Sequence, residues 1–476
     1  IMNEITTFSA LELTLAQQQQ YFNQHLYPTY QERVEQLTAL RKLLLANQPA
    51  LINAISTDFG HRSADECKIG DILTTVSSVD YTLKHLKRWM KTKRKQVGVL
   101  FQPASAKVMY QPKGVVAIVA PWNYPLLLSI GPLISAIAAG NVAMIKMSEY
   151  SPNLCTLLAT LLAEIFEPAQ VAVVGGDASL AAKFTAMPVD HLFFTGSTSV
   201  GKLVMKSAAD NLVPVTLELG GKSPAIIDAS MDIATAVSRL MFGKVLNAGQ
   251  TCVAPDYIFC PREKVDELVS ELSTCFSKMY PHVADNNDYT SIIADHHYQR
   301  LQGLLEDAKA KGGQLLSCSL TPESDAELAK ARKLPLTLIL NPQDSMQVMQ
   351  DEIFGPILPI MLYDTIEEAV NYINAKPRPL ALYLCSYNKA LQQQLLLNTH
   401  SGGVCINDAS LQVAVDDLPF GGIGASGMGQ YHGEEGFKTL SHQKSVLTRG
   451  RINFTPLLFP PFNTAIHRLV YKWFIR

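Results

Sequence analysis

Charged residues and paired cysteines are both scarce in this chain, and each shortage excludes a class of protein. Charged side chains make up 17% of the 476 residues and apolar ones 47%, a composition typical of a globular protein and not of a disordered one. The formal net charge of −2 argues against a general attraction to nucleic acid. The eight cysteines stand singly, with no CxxC pair, so we expect reduced thiols in a cytoplasmic protein and neither a disulfide framework nor a zinc site.

The longest stretch without charge, between Lys113 and Lys146, has the length of a membrane-spanning helix. Pro121, Asn123 and Pro125 interrupt it, however, and the short apolar runs on either side are typical of buried parallel strands. The pattern therefore predicts alternating strands and a helix rather than a membrane span. The predicted elements are a strand over 115–120, a helix over 126–139 and a strand over 142–145.

Strands and helices alternate through most of the chain after a helical start. The first hundred residues carry apolar positions three and four apart, as amphipathic helices do. From Val115 on, short apolar runs such as GVVAIVA, NVAMIKM and HLFFTG alternate with helical segments, and the alternation begins again after LELGGKSPAIID. This pattern predicts two α/β domains with parallel sheets. The segment RKQVGVLFQPASAKVMYQPKG alternates like a β-hairpin that leaves its domain.

A cysteine and a glutamate stand in settings suited to chemistry. Cys252 in NAGQTCVAPDY lies among small polar residues in a predicted loop, so it is a candidate nucleophile, with a packing thiol as the ordinary alternative. Glu218 in TLELGGKSP ends an apolar strand just before two glycines. Partial desolvation there would raise its pKa toward the range of a general base, and a solvated turn residue is the alternative.

Two loops that follow predicted strands carry further candidates. In FTGSTSVGK a glycine turn precedes a helix, so Gly196, Ser197 and Gly201 could place free N–H groups against a pyrophosphate. The spacing GxxxxG is not that of the dinucleotide fingerprint, and a plain helix cap explains it equally well. Asn123 in PWNYP could donate to a developing oxyanion or simply cap a turn.

The order of the motifs carries more information than any one of them. PWNYP, KxSE, FTGSTxxG, LELGGKSP, AGQTC, EIFGP and PFGGIGASGMGQYHGEEGF together resemble the aldehyde dehydrogenase superfamily from about Lys107 to about Ser445. The separation of 34 residues between Glu218 and Cys252 also fits that superfamily. The segments CVAPDY and SGMGQYHGEEGF are most similar to its class 3 branch and, within the branch, to the coniferyl aldehyde dehydrogenases. One departure from the pattern of the superfamily is Met147, which stands where the usual KPSE motif has proline.

The resemblance implies a reaction and a role for each candidate. An aldehyde would be oxidised to a carboxylate with NAD or NADP, through a thiohemiacetal and then a thioester on Cys252. Water activated by Glu218 would hydrolyse the thioester, and Asn123 with the Cys252 backbone N–H would hold the oxyanion. No metal is implied. The implied cofactor contacts are Lys146, Glu149, Gly196, Ser197, Gly201, Glu352, Phe354 and Trp122.

The resemblance also implies how the chain is divided. It predicts a Rossmann-like parallel-sheet cofactor domain, a second α/β catalytic domain and a β-hairpin oligomerisation arm, and the branch suggests a homodimer. The arm is expected to pair with a strand near residues 443–449. The predicted ranges are 1–94 and 113–217 for the NAD-binding domain, 218–406 for the catalytic domain, 95–112 and 407–449 for the oligomerisation segments, and 450–476 for the tail.

Cofactor preference, the tail and the reaction class have alternatives. A carboxylate at Glu149 that bonds a ribose 2′-hydroxyl would repel a 2′-phosphate, so NAD is the predicted cofactor and NADP the alternative. The amphipathic, basic tail NTAIHRLVYKWFIR is expected to pack on the body or a partner subunit, with weak contact to a membrane surface as the alternative. The aldehyde could be aromatic, such as coniferyl aldehyde, or medium- to long-chain aliphatic. Competing readings are a cysteine hydrolase or acyltransferase, a non-catalytic binding module, and an acylating enzyme that uses coenzyme A.

Overall fold

The computed structural model contains three β-sheets surrounded by helices. It describes residues 4–475, and only the backbone is described for Glu4. The strands are β1 (Glu4–Ile5), β2 (Lys93–Lys95), β3 (Ser105–Pro112), β4 (Val115–Val119), β5 (Val142–Lys146), β6 (Val171–Val174), β7 (His191–Gly196), β8 (Val215–Leu219), β9 (Pro224–Ile227), β10 (Tyr257–Pro261), β11 (Gln314–Ser317), β12 (Thr337–Leu340), β13 (Ile357–Tyr363), β14 (Ala381–Cys385), β15 (Gly403–Ile406), β16 (Gly427–Met428) and β17 (Ser441–Thr448).

The α-helices are α1 (Phe8–Gln24), α2 (Tyr30–Ala46), α3 (Gln48–Phe59), α4 (Ala64–Cys67), α5 (Thr74–Trp89), α6 (Leu127–Ala139), α7 (Pro152–Leu162), α8 (Ala178–Thr185), α9 (Thr198–Ala209), α10 (Ile233–Val245), α11 (Val265–Met279), α12 (Asp295–Ala310), α13 (Asp325–Ala331), α14 (Gln347–Gln350), α15 (Ile366–Asn374), α16 (Lys389–Asn398), α17 (Gly433–Thr439) and α18 (Ala465–Phe474).

The first sheet has the strand order β1-β6-β5-β4-β7-β8-β16, with all neighbours parallel except β16 beside β8. Successive side chains of a strand point to opposite faces, and β4 shows this clearly. Val116 and Ile118 point into one hydrophobic core, to which α2, α5, α6 and α7 also contribute. Val115 and Ala117 point into a second core on the opposite face, to which α1, α8 and α9 contribute. Helices therefore cover both faces of the sheet, which explains why its strands read as unbroken apolar runs.

The second sheet has the order β11-β12-β13-β10-β9-β14-β15 and is parallel except for β11. A third hydrophobic core surrounds it. The two parallel sheets confirm the predicted α/β class, with a Rossmann-like sheet and a second α/β unit. The domain boundaries drawn from the sequence stay predictions.

A small antiparallel sheet with the order β17-β3-β2 is consistent with the predicted arm. Ser105 pairs with Thr448 and Pro112 with Ser441, so the C-terminal strand lies along the hairpin as expected. The segment predicted to bridge subunits also holds β16, which joins the edge of the first sheet instead.

The uncharged stretch folds as a strand, a helix and a strand, in β4, α6 and β5, close to the predicted bounds. Among residues 4–475, no helix combines the length and hydropathy needed to cross a membrane.

Candidate active site

A cavity of about 1170 Å³ opens at the carboxyl ends of β7 and β8, where loops from the second sheet face the first. Ligands of open α/β sheets bind at such edges. Small-molecule sites commonly measure roughly 300–1,000 Å³, so this one has room for a dinucleotide and a second molecule. The predicted site residues that line it are Trp122, Asn123, Gly196, Ser197, Glu218, Cys252, Glu352 and Phe354. Lys146, Glu149 and Gly201 lie outside its lining.

A turn of unusual backbone geometry precedes Cys252. Asn247, Ala248 and Gly249 have positive φ values of 54°, 52° and 74°. Such a backbone costs a residue with a Cβ about 1 kcal/mol or more, and buried surroundings must hold it in place. Asn247 and Ala248 are both fully buried, and a Cβ on Gly249 would lie 2.5 Å from the Gly355 carbonyl oxygen. The packed turn thus fixes half-buried Cys252 in the cavity wall.

The Cys252 thiol is protonated near neutral pH. Burial raises its pKa to about 12, and the carboxyl groups of Glu352 and Glu218 act in the same direction. The backbone N–H groups of Cys252 and Val253 oppose them by lowering the pKa of the thiol. Because the thiolate is the nucleophile, a base must accept the thiol proton before the sulfur can attack.

The side chain of Glu218 is a buried carboxyl group. It is 4% exposed, and among residues 4–475 neither of its oxygens has a hydrogen-bond partner. Burial raises the pKa of Glu218 well above its ordinary value. Thr195 pairs with it across β7 and β8, and the buried Thr195 hydroxyl likewise has no partner in the described part of the chain. Buried polar atoms are usually satisfied by a partner, so these three oxygens point to a place for a bound molecule.

Glu352 places a second carboxyl group beside the thiol. Burial, aided by the charge of Asp256, raises the pKa of Glu352 to about 8, while the Gly221 backbone N–H acts to lower it. A Cβ on Gly220 would lie 2.0 Å from Oε2 of Glu352. The first glycine of LELGGKSP is therefore needed for this carboxyl group to reach the strand end that carries Glu218.

Hydrogen bonds join the loop of Asn123 to the turn before Cys252. Asn123 is 3% exposed, and its Nδ2 donates one hydrogen to the Gln250 carbonyl oxygen at 3.1 Å. Asn247 Nδ2 lies 3.0 Å from the Asn123 carbonyl oxygen and 3.1 Å from that of Gln250. The second hydrogen of Asn123 Nδ2 is left for a ligand in the cavity.

Arg62, which carries no motif, completes this network from the N-terminal region. Its Nη1 donates to the Asn123 carbonyl oxygen at 3.1 Å and lies 3.0 Å from Asp71 Oδ2. The guanidinium lies over the ring of Tyr124, whose hydroxyl is 2.8 Å from Thr251 Oγ1, next to Cys252. Sequence analysis missed Arg62 because Asn123 is 61 positions away and no local pattern marks the contact.

The amino end of α9 faces the cavity. Ser197 is the N-cap, and its Oγ accepts a hydrogen bond from the Val200 N–H at 3.4 Å, while Gly196 ends β7 just before it. Free N–H groups at a helix start attract phosphate. Gly201 faces the sheet instead, since a Cβ there would lie 2.6 Å from a methyl of Leu219. That glycine permits close packing of helix on strand.

Lys146 is the last residue of β5 and Glu149 follows that strand, next to the loop of Asn123 along the same sheet edge. Lys146 is buried, and its Nζ donates to the carbonyl oxygens of Met147 at 2.7 Å and Gly176 at 2.9 Å. Glu149 is exposed. Met147 donates its backbone N–H to the Val174 carbonyl oxygen at 2.9 Å, a bond that a proline in this position could not make. The loop therefore keeps its place without the usual proline.

Aromatic side chains form one wall of the cavity. The Trp122 ring meets that of Phe354 edge to face at 5.3 Å and lies 5.1 Å from that of His297. Burial lowers the pKa of His297 to about 4, so its ring is neutral at pH 7. His297 also lines the cavity, and sequence analysis missed it because no recognisable motif surrounds it.

Across residues 4–475, no group of three or more His, Cys, Asp or Glu side chains is placed to hold a metal ion.

Comparisons with known proteins agree with this geometry. The profile of the aldehyde dehydrogenase family matches residues 10–446. A probable coniferyl aldehyde dehydrogenase of Pseudomonas aeruginosa is 51% identical over 466 residues, which cover 98% of this chain and 96% of the relative. Aldehyde dehydrogenase family 3 member A2 of Rattus norvegicus is 39% identical over 420 residues, or 88% of this chain and 84% of the relative.

Solved structures of other aldehyde dehydrogenases have folds similar to that of this chain. AldH of Staphylococcus aureus in a substrate-bound state has a TM-score of 0.91 and 37% identity, covering 98% of this chain and 99% of that one. The aldehyde dehydrogenase of Mycobacterium tuberculosis complexed with NAD⁺ has a TM-score of 0.84 and 26% identity, covering 94% and 92% of the two chains.

Proposed function

The chain belongs to the aldehyde dehydrogenase family, and on that premise we propose that it oxidises an aldehyde to a carboxylate through a thioester on Cys252. As a member it is an NAD(P)-dependent oxidoreductase, and the resemblance to the class 3 branch and to coniferyl aldehyde dehydrogenases is confirmed. The observation that carries the proposed mechanism is the buried carboxyl group of Glu218, which has no hydrogen-bond partner within residues 4–475 and lines the same cavity as the thiol.

The first step is attack of Cys252 sulfur on the aldehyde carbon. The thiol proton passes to Glu218, whose raised pKa makes it a stronger base than an ordinary carboxylate. A C–S bond forms and the carbonyl π electrons move to oxygen. The second hydrogen of Asn123 Nδ2 and the backbone N–H of Cys252 stabilise the resulting oxyanion.

The residues of the cavity fit a nicotinamide dinucleotide. The start of α9 offers N–H groups to a pyrophosphate, Glu352 offers a carboxylate to ribose hydroxyls, and the unpartnered Thr195 hydroxyl lies near Glu218. Trp122 and Phe354 supply apolar walls. A dinucleotide held by these residues would supply the hydride acceptor for the carbon attached to Cys252, and loss of the hydride from that carbon would leave a thioester.

Glu218 also serves the second half of the reaction. After it has released the thiol proton to solvent through the cavity, it takes a proton from a water molecule, whose oxygen attacks the thioester carbon while Asn123 again faces the oxyanion. Glu218 then returns that proton to the leaving Cys252 sulfur. A C–O bond forms, the C–S bond breaks, and the products are the carboxylic acid and free Cys252. A transfer to coenzyme A would not require this base, so the buried Glu218 favours hydrolysis.

The cofactor contacts outside the cavity lining are part of the proposal. We infer that Lys146 and Glu149 bind the adenosine ribose, because they lie on the same sheet edge as the start of α9. The carboxylate of Glu149 would repel a 2′-phosphate, which favours NAD over NADP. Gly201 acts indirectly, by letting α9 pack against β8.

The proposed substrate class is aromatic aldehydes such as coniferyl aldehyde, with medium- and long-chain aliphatic aldehydes as the second group. The relative of Pseudomonas aeruginosa that shares 51% of its residues with this chain supports the first group by its name. The aromatic rings of Trp122 and Phe354 are consistent with either group, because both bury apolar surface.

A homodimer is the proposed assembly. The strand β17 forms one edge of the three-stranded sheet, and an edge strand offers unpaired backbone groups to another chain. Sedimentation velocity at several protein concentrations measures the assembly directly, and a monomer at all of them would overturn it.

The test of the mechanism follows absorbance at 340 nm with NAD or NADP and a panel from hexanal and decanal to benzaldehyde and coniferyl aldehyde. Cys252→Ala should reduce the rate by about 10⁴-fold or more and retain NAD binding. Glu218→Gln should slow thioester formation and should slow thioester hydrolysis more, so a slowed burst of up to one NADH per active site should precede a still slower steady state. An undiminished steady-state rate in either variant contradicts the assignment, and stimulation by coenzyme A would indicate acyl transfer.

A further inference from the structure

The two donors proposed to hold the oxyanion come from separate parts of the chain. Asn123 lies in the loop after β4, and the backbone N–H of Cys252 comes shortly after residues 247–250, called here the nucleophile turn. Both donors must face the same oxygen, and a misplacement of about 1 Å can cost about 100-fold in rate. The separation of the loop and the turn is therefore a quantity that the fold has to control.

A short segment of the N-terminal region, residues 62–66, contacts both the loop and the turn. Arg62 Nη1 donates to the carbonyl oxygen of Asn123 at 3.1 Å. Glu66 Oε1 accepts the backbone N–H of Asn247 at 3.2 Å. The two side chains are four positions apart, and α4 begins between them. One short stretch of chain thus holds the loop that carries the first donor and the turn that precedes the second.

The N–H of Asn247 is a group that needs an acceptor from outside its own helix. The helix α10 ends at Val245, and Leu246 has a ψ of 131°, so the chain has left the helical path before Asn247. Asn247 and Ala248 then take left-handed φ values and are fully buried. Buried backbone N–H groups are almost always paired. The carboxylate of Glu66, from 181 positions away in the sequence, supplies this pairing.

The second oxygen of Glu66 holds a segment that encloses the end of the nucleophile turn. Oε2 of Glu66 accepts the hydroxyl hydrogen of Thr290. Three residues further on, the Ile293 N–H donates to Gln250 Oε1 at 3.0 Å. The carbonyl oxygen of Gln250 is the acceptor for Asn123 Nδ2. Both carboxylate oxygens of Glu66 are therefore bonded to segments that determine where the turn lies.

An ion pair between Arg62 and Glu66 that serves stability alone is the ordinary alternative. Arg62 Nε lies 4.0 Å from Oε2 of Glu66, whereas Arg62 Nη1 lies 3.0 Å from Asp71 Oδ2. The guanidinium thus has a closer carboxylate, and the shorter contacts of Glu66 are with Asn247 and Thr290. All three charged side chains are buried, and burial of charge costs free energy that an ion pair seldom recovers. Stability alone does not account for the second carboxylate.

We propose that Glu66 is a positioning residue of the oxyanion site, because it determines where the nucleophile turn places the backbone N–H of Cys252. Arg62 does the same for the loop of Asn123, so residues 62–66 fix the separation of the two donors. Glu66 does not line the cavity and acts only through the turn. The inference rests on the proposed function, in which both donors face the oxyanion.

The experiment compares a reaction of Cys252 that forms an oxyanion with one that does not. NADH formation in a single turnover, with NAD saturating, passes through the thiohemiacetal oxyanion, whereas iodoacetamide alkylates the sulfur by displacement of iodide. Glu66→Ala removes the acceptor of the Asn247 N–H and should slow the single turnover about 10-fold to 100-fold. The alkylation rate at one alkaline pH and the NAD dissociation constant should each change less than about threefold, since neither depends on the oxyanion donors.

Two milder variants test the same contacts without loss of the whole side chain. Glu66→Gln retains an oxygen that can accept the Asn247 N–H, so it should recover most of the single-turnover rate. Thr290→Val keeps the volume of its side chain but removes the donor to Oε2 of Glu66. It should slow the single turnover by a smaller factor than Glu66→Ala does, with alkylation unchanged.

The matched control is Glu323→Ala. The carboxylate of Glu323 also accepts backbone N–H groups from another loop, those of Val283 at 2.9 Å and Ala284 at 2.7 Å. Neither residue lines the cavity, so the loss of this carboxylate should leave the single-turnover rate unchanged.

Several results would overturn the proposal. They are an unchanged single turnover in Glu66→Ala or Thr290→Val, a loss in Glu66→Gln as large as in Glu66→Ala, and an equal loss of alkylation, of NAD affinity or of turnover in Glu323→Ala. Failure of the proposed function gives a different result, because NADH formation would then survive Cys252→Ala or Asn123→Ala whatever stands at position 66.

Discussion

One wall of the cavity contains Glu218, Glu352 and Cys252. Burial in this wall raises the pKa of all three groups. A raised pKa keeps the thiol neutral, and it makes each carboxylate a better base than it would be in water. The two glutamates also face the same sulfur, so removal of either one changes the charge that the thiolate must tolerate. The charge states of the proposed base and the proposed nucleophile therefore depend on the same buried environment.

A first prediction concerns alkylation of Cys252 by iodoacetamide in the protein without cofactor. The rate should rise about tenfold per pH unit, because only the thiolate reacts and its pKa is high. Above pH 8, where Glu352 is ionised, Glu352→Gln should shift the profile to lower pH, and Glu218→Gln should shift it less. Mass spectrometry of the Cys252 peptide measures the rate. A profile that does not move in Glu352→Gln would show that this carboxylate is not close to the sulfur.

A second prediction concerns Glu149 and the choice of cofactor. Removal of a carboxylate close to a 2′-phosphate relieves about 1 kcal/mol of repulsion, so Glu149→Gln should raise kcat/KM with NADP about fivefold relative to NAD. The control is Glu164→Gln, at another exposed glutamate that lies in the turn after α7. Equal changes with the two cofactors, or the same change in the control, would remove Glu149 from the ribose site.

At the scale of elements, the site depends on loops that follow strands and on what holds them. The loop after β4 and the turn before Cys252 share hydrogen bonds through Asn123, Asn247 and Gln250. Asp71 accepts hydrogen bonds from the first N–H groups of α6 at 3.1 Å and pairs with Arg62. The N-terminal helical region thus contributes to the geometry of the oxyanion site without lining the cavity.

A third prediction concerns Arg62 as a positioning residue. Arg62→Lys keeps the positive charge beside Asp71 but cannot make both contacts of the guanidinium. Displacement of Asn123 by a fraction of an ångström should lower kcat about 10-fold to 100-fold, with the NAD dissociation constant nearly unchanged. Stopped-flow kinetics and fluorescence titration measure the two quantities. A loss of NAD affinity equal to the loss of kcat would indicate general damage to the fold instead.

At the scale of the whole molecule, buried histidines couple stability to pH. Burial and the charge of Lys113 lower the pKa of His191 to about 3. Its Nδ1 lies 2.9 Å from Lys113 Nζ, and its Nε2 lies 2.8 Å from the Thr216 hydroxyl. The folded protein keeps this ring neutral, while in the unfolded chain it takes up a proton below about pH 6.5. The unfolded state then binds more protons, so the contribution of His191 to stability falls as pH falls.

A fourth prediction follows from this loss of stability at low pH. Between pH 6.5 and 4, the free energy of unfolding of the unmodified protein should fall by about 1 kcal/mol per pH unit relative to that of His191→Gln. Above pH 7 the difference between the two proteins should be constant. Urea denaturation at a series of pH values measures it, and parallel curves across the acid range would show that His191 titrates normally in the folded state.

Much of this protein is determined by local sequence. Apolar runs and helical periodicity alone predicted the α/β class and the strand, helix and strand of the uncharged stretch, because side-chain direction repeats within a few residues. The order of short motifs indicated the family, and each motif keeps its residues close enough to be read as a unit. Two of these motifs contain Cys252 and Glu218, the residues proposed as nucleophile and base.

What tertiary structure alone decided depends on contacts between distant segments. The raised pKa values of Cys252 and Glu352 come from burial, which no window of sequence reports. Arg62 reaches Asn123 across 61 positions, and Gly201 lies against a strand rather than the cavity. The C-terminal strand β17 joins the hairpin only through its pairing with β3, which lies far from it in sequence. Local pattern therefore specified which residues are present for the chemistry, and long-range packing specified their charge states and their neighbours.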